Sequence, residues 1–375
     1  MGWFGRKSAG AAARPPFVPS WLGTAEDAGF VRSYDAQYDE VFRNNPVGQR
    51  SVRLVAGMVS ALTVEVAEGD PRAAKLVTAD GLLEGIAASL LLHGNAFVKL
   101  IAGPDDAPVE LCLLRPERVS IATDSQGYPA AYLYRVGNRT VRTAARDALA
   151  RRQLGHVRAL NPGDDHYGLG CLNAAIAAAS VHNRATRWNK ALLDNAARPS
   201  GALVYEPGDG SGLSVEQFDR LRDEMAEQFS GSANAGRPLL LEGGLKWQAL
   251  SLTPADMDFA ALKDGAARDI ALAFGVPPVL VGLPGDATYA NAREAGRALY
   301  RQTVLPMAET ILRELATLLG DWLGPVRFAV DTDQLTELAE DRARLWAQLS
   351  AAEFLTRAEK RDMLGFSPEQ KEKTP

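Results

Sequence analysis

Cysteine is nearly absent: 375 residues contain only Cys112 and Cys171, so no disulfide framework can staple the fold. Neither sits in a CxxC pair or beside histidine, which leaves no zinc-type ligand set. Histidine is as scarce, at four residues. His166 follows Asp164 and Asp165, but adjacent side chains rarely converge on one ion, and no His-x-His or Glu-x-x-His spacing supports a metal site. His93 precedes Gly-Asn at an expected helix-to-strand turn, where a structural role is the simpler account. Long apolar runs are missing too. A bilayer span needs about 20 consecutive apolar residues, and even the alanine-rich stretch near residue 175 is broken by Ser180, His182, Asn183 and Arg184. The opening MGWFGRKSAGAAARPPFVP has early basic residues without a signal-length apolar run behind them. Its Gly, Ala, Arg and Pro content predicts a flexible arm over residues 1–29.

Catalytic motifs are missing as well. There is no GxxxxGK[ST] phosphate loop, no GxSxG nucleophile elbow and no HExxH pair. Gly208, Gly210 and Gly212 follow a strand in a GxGxG spacing, but the third glycine is misplaced for a dinucleotide loop, and a surface connection is expected. Gly168-Leu169-Gly170 precedes a helix, where an anion could be seated; chain reversal explains it as well. Asp256 and Asp258 stand near a helix start, where the helix dipole favours carboxylates without any acid–base role. No catalytic residue, no metal and no cofactor is expected.

What is present is a folding composition, 46% hydrophobic against 23% charged, in a chain long enough for two or three domains. The net charge is −5. Tight grip on nucleic acid usually shows a basic footprint, so this balance is a poor one for a protein that grips phosphates, and composition alone goes no further.

The pattern along the chain predicts an α+β architecture. Val52, Val55, Ala56 and Val59 recur at helical spacing over 46–62, and Leu82, Leu83, Ile86, Leu90 and Leu91 do so over 79–92. Strands are expected at 96–101, 111–114, 118–121, 132–136 and 154–160. An alanine-rich helix without Gly or Pro runs over 171–197, on the order of 40 Å at about 1.5 Å per residue. A small unit follows: a strand at 202–205, a helix at 214–229 opened by a Ser214/Gln217 capping box, a strand at 238–241, and 245–250 as its hairpin partner. A second long helix covers 254–274 and stops at Gly275 with Pro277-Pro278 beyond. After a glycine-rich loop at 282–291 a third covers 291–319, with a kink expected at Pro306. A strand at 326–330 precedes a helical hairpin at 335–349 and 356–364, where Thr356 and Glu359 again fit a capping box.

Several strings, in this order, resemble the portal proteins of tailed bacteriophages, in the branch of long-tailed phages and gene transfer agents. They are LLHGNAFVKL (91–100), LRPERVSI (114–121), RPSGALVYEP (198–207), FSGSANAGRPLLLEGGLKWQALSL (229–252), ARDIALAFGVPPVLVG (267–282) and TYANAREA (288–295). The resemblance covers about residues 30–368. It implies a portal fold: a helix-and-sheet wing at 30–169, stem helices at 170–197 and 254–275, and a small α/β clip at 198–253. It further implies a tunnel-loop region at 276–291, a kinked wing helix and strand at 292–335, and a short crown and tail at 336–375. It also implies a non-enzymatic virion protein, assembled in the host cytoplasm as a dodecameric ring at one capsid vertex. Double-stranded DNA would pass through it in packaging and ejection. Its partners would be the terminase, the head–tail connector and the major capsid protein, with no membrane.

By the same resemblance Gly285, Asp286, Ala287, Thr288, Tyr289, Ala290 and Asn291 form the DNA-facing tunnel loop. Lys263, Arg268, Arg293, Arg297 and Arg301 are candidate channel or inter-subunit charges. The last three stand at i, i+4 and i+8 and share a helix face, which fits salt bridges and DNA contact equally. The alternatives are another head–tail connector or capsid-associated protein and, without a supporting motif, a nucleotide- or metal-dependent enzyme.

Overall fold

The computed structural model describes residues 33–79, 81–194, 201–205, 214–220, 223, 245–249, 259–283 and 288–364. The fold is mixed helix and sheet, as expected. Two compact units divide it: one gathers Arg50–Cys171 with the chain from Phe274 onward, the other gathers the segment ending at Gln49 with Leu172–Ala273.

In the first unit, α2 (Pro46–Ser60, which begins in the other unit) leads to β1 (Thr63–Glu68), α3 (Arg72–Val77) and α4 (Leu82–His93). Helix α4 ends because Gly94 adopts φ +80°, a left-handed cap open to glycine, and its N–H closes on the Leu90 carbonyl. The chain then becomes β2 (Asn95–Ala102), which pairs antiparallel with β3 (Pro108–Leu114) on one side and β7 (Leu154–Arg158) on the other. A second antiparallel sheet holds β4 (Val119–Thr123), β5 (Pro129–Val136) and β6 (Arg139–Ala144) in that order. Phe97, Val119, Ile121, Leu154 and Tyr167 form a core cluster joining the two. Strand β6 is not foreshadowed in the sequence, because Arg-Thr-Val-Arg-Thr-Ala shows no apolar face.

The chain beyond Phe274 completes this unit. After α8 (Tyr289–Leu299) comes a π-helical turn, Tyr300–Val304, and then α9 (Leu305–Leu323), β10 (Arg327–Asp331), α10 (Ala339–Ala351) and α11 (Arg357–Met363). The irregularity expected at Pro306 lies in the turn before it. Proline has no N–H and crowds the carbonyl four residues back, and widening that turn to a π-turn relieves the conflict. Helix α9 buries Ile311, Leu312, Leu315, Leu318 and Leu319. Strand β10 pairs antiparallel with β1, Thr63 opposite Asp331 and Glu68 opposite Arg327. The Thr356/Glu359 capping box is present: Glu359 N–H donates to Thr356 Oγ1, and Thr356 N–H donates to Glu359 Oε2 at 2.8 Å.

In the second unit, α1 (Tyr34–Tyr38) runs into a π-turn, Asp39–Arg43, that packs on α5 (Leu172–Asp194). Helix α7 (Phe259–Ala273) packs along α5. Between them in sequence lie β8 (Gly201–Tyr205), α6 (described over 215–220) and β9 (Leu245–Ala249). The Ser214/Gln217 capping box forms, with Ser214 N–H donating to Gln217 Oε1 at 2.9 Å. Strand β9 pairs antiparallel with β8, Gly201 opposite Ala249; the strand expected at 238–241 lies outside the described residues. Tyr205 and Leu245 pair at the end of this ladder.

Candidate functional site

The two long helices of the second unit are built for close approach. Leu172, Ala175, Ile176, Ala179 and Ala185 of α5 are buried, as are Ala266, Ala267, Ile270 and Ala271 of α7. Methyl-sized side chains let two helix axes come near enough for continuous contact. The pair also presents an unburied apolar face, a shallow cavity of about 840 Å³ lined by Ala174, Ala177, Ala178, Val181, Leu262, Gly265 and Leu272 among others. Leu272 is 76% exposed.

A buried polar clamp fixes this unit from the other side. Asn45 caps α2 by accepting from Val47 and Gly48 N–H at 3.0 Å each. Its amide donates to Asn183 Oδ1 at 2.9 Å and lies 3.3 Å from His182 Nδ1. Asn183 in turn donates to the Glu40 carbonyl at 2.8 Å. Burial and the nearby Lys263 ammonium hold His182 below its ordinary pKa. The link between Asn45 and Asn183 has no signal in the sequence, since the two stand well over a hundred residues apart.

The first unit has a matching clamp at the HGN string. Asn95 Oδ1 accepts from Gly168 N–H at 2.7 Å, and its amide donates to the Gly168 carbonyl at 3.0 Å. Gly94, Gly168 and Gly170 permit this approach. A Cβ on Gly168 would sit 2.0 Å from the Gly94 carbonyl oxygen, and one on Gly170 would lie 2.5 Å from that of Leu92. The Gly-Leu-Gly segment is thus shaped by packing against another stretch of backbone. His93 and His156 flank the clamp, and burial pushes them down to about 4 and about 3 respectively.

The expected site residues divide three ways. Gly285, Asp286 and Ala287 lie outside the described residues, as does the side chain of Tyr289. Thr288 is the N-cap of α8, its hydroxyl accepting from Asn291 N–H at 3.2 Å. Tyr289, Ala290 and Asn291 are therefore helical, not part of a loop: the threonine cap starts the helix where the sequence reading still had a turn. Arg293 and Arg297 both meet Glu340 of α10, at 2.6 and 2.7 Å, and Arg297 also meets Glu294 at 2.9 Å. Arg301 falls in the π-turn and is exposed. On α7, Lys263 is half-buried and Arg268 exposed. Among the described residues no group of three or more His, Cys, Asp or Glu could hold a metal ion, and no helix is long and apolar enough to cross a membrane.

The sequence profile of the phage portal protein family matches residues 46–365. The chain belongs to the phage portal protein family. A protein of Rickettsia felis is 41% identical over 287 residues, covering 75% of this chain and 72% of the relative. A chain solved in the virion of a native gene transfer agent particle is 43% identical, with a TM-score of 0.70, over 90% of this chain and 94% of its own. A chain from the neck of the native particle, computed with C12 symmetry, is 42% identical, with a TM-score of 0.69, over 96% of this chain and 97% of its own. The Asn95 clamp and the paired long helices lie inside the matched span, which begins one residue after Asn45.

Proposed function

We propose that the chain forms a closed ring of twelve subunits at one vertex of a phage-like particle, of the gene-transfer-agent kind, and that double-stranded DNA passes through its centre. The likeness to the C12 neck chain over 96% of this sequence carries the reading. The regions take the family's names: wing at 30–169 and 292–335, stem at 170–197 and 254–275, clip at 198–253, tunnel region at 276–291, crown from 336. Terminase and then the head–tail connector dock at the clip, and the capsid protein surrounds the ring. The part it plays is structural, not catalytic.

The exposed apolar face on α5 and α7 supports assembly. Leaving Leu272, and the exposed half of Leu262, in water forgoes roughly 1–2 kcal/mol for each side chain that a neighbour would cover. A heterologous contact of this kind closes into a ring when its rotation is right. The net charge of −5 supports a lumen that lets DNA slide, because few phosphate contacts mean few counterions to release and regain at each step. Light scattering with negative-stain imaging of the purified protein tests the reading. Rings with a central opening are expected; a monomer at every concentration, alone and with capsid protein, would overturn it.

A further inference from the structure

The geometry points to a conformational device in the first unit: α8 is a lever hinged at the π-turn Tyr300–Val304 and latched to α10 by Glu340. The attachment is polar and long-range. Glu340 Oε1 lies 2.6 Å from Arg293 Nη2, and its Oε2 lies 2.7 Å from Arg297 Nη2. Arg297 is nearly buried, and its Nε donates to the Glu337 carbonyl at 3.3 Å. One carboxylate thus ties two guanidinium groups a helical turn apart to the start of α10, in the charge-assisted geometry that makes such bonds short and strong.

Apolar packing is thin at this end. Among the described side chains from Ala290 to Ala298 none is fully buried, although several are half-buried and the helix touches the Pro278–Val281 turn, whereas Leu299 and Tyr300, at the hinge end, are buried. The Glu340 ion pairs therefore carry a large share of the attachment, and a region with few buried apolar contacts opens at low cost.

The hinge itself is held from the far side. Leu305 N–H reaches back five residues to the Tyr300 carbonyl. Thr303 Oγ1 donates to the Gly275 carbonyl at 3.0 Å. Beyond it, α9 is fixed by its buried leucines. A rigid helix, a widened turn and a helix held by ion pairs form a two-position element. Whatever draws α10 away from Arg293 and Arg297 releases α8 without disturbing α9.

The latch belongs to a single subunit; only its consequence for a channel rests on the portal reading. Hydrogen exchange with mass spectrometry on the full chain tests it, in whatever assembly state the protein is purified. Glu340→Gln keeps the shape and removes the charge, and Glu340→Ala removes both. Amides of Tyr289–Leu299 should exchange about tenfold faster in both variants, while those of Leu305–Leu323 keep their rates. Unchanged exchange in α8, or equal acceleration in α9, would overturn the latch. Acceleration confined to α8 in a protein that forms no ring would keep the latch and sink the portal reading instead.

Discussion

The side-chain carbonyl of Asn95 lies 2.9 Å from Nε2 of His156 and 2.7 Å from the backbone nitrogen of Gly168. The backbone N–H can only donate, so the Asn95 atom facing it is the oxygen, and His156 must carry its proton on Nε2. One buried amide thus joins the start of β2, the neighbouring strand β7 and the segment leading into α5.

Asn95→Ala strands the donors of His156 and Gly168 and the carbonyl of Gly168 in a site where residue 95 is fully buried. Each buried group left unmatched costs about 1–3 kcal/mol. A loss of roughly 3 kcal/mol or more in denaturant unfolding is expected, with the signal concentrated in the sheet-containing unit. A change under about 1 kcal/mol would show that water replaces the amide.

Acid should weaken the same region. Burial holds His93 at about 4 and His156 at about 3, both below the unfolded value near 6.5. The unfolded chain then binds more protons, so stability is full above pH 6.5 and is lost as pH falls towards 4 and 3. The slope reaches up to about 1.4 kcal/mol per pH unit for each histidine. Glu314, raised by burial, opposes part of this, because its contribution fades as pH rises above the ordinary carboxylate range. His156→Gln keeps a donor towards Asn95 without titrating and should flatten the profile between pH 6.5 and 4.

Two glycine substitutions should differ in sign. A Cβ at Gly168 would lie 2.0 Å from a backbone oxygen and 2.7 Å from the Ala159 nitrogen, so Gly168→Ala must push main chain apart. It should abolish soluble expression or lower the melting temperature by about 4–8 °C or more, the equivalent of about 2 kcal/mol or more. Gly57, inside α2, has open space around its Cβ position. Gly57→Ala should stabilise by roughly 0.5–1 kcal/mol through helix propensity alone.

Leu272→Asp tests the stem face. The side chain is 76% exposed within one chain, so the substitution should leave the melting temperature of the unassembled protein within a degree or two. If a neighbouring copy covers this face, the buried carboxylate has no partner and rings should fail to form in the mass and imaging measurement. Normal rings would place the inter-subunit contact elsewhere on the stem.

Local periodicity made much of this fold legible. Helices α2, α4 and α5 could be read from apolar spacing, and the stop at Gly275 and both capping boxes were visible as letters. Strand β1 is faint in the sequence although Thr-Val-Glu-Val alternates cleanly, since six residues after a helix carry little signal without their partner. Helix α8 begins two residues before its apolar pattern suggests, because Tyr-Ala-Asn reads as loop and only the Thr288 cap marks the start. The clamps at Asn45 and Asn95 and the Glu340 ion pairs were illegible for one reason: each joins residues too far apart for any window to hold both. The family resemblance supplied the order of parts, but no string in it pointed to Glu340.

The pairing of β1 with β10 also sets a timetable. Val64 meets Val330, so the strand leaving the ribosome first waits for a partner roughly 260 residues behind it. At about 5–20 residues per second that delay is on the order of 13–50 s. The Leu172–Ala273 part of the second unit is synthesised within that interval, and closing so long a loop is entropically costly until other contacts have shortened it. The inserted unit must therefore fold while its host is still open at the edge of β1. Nascent chains should need shelter for that exposed strand, and no subunit can be complete for assembly until translation is nearly finished.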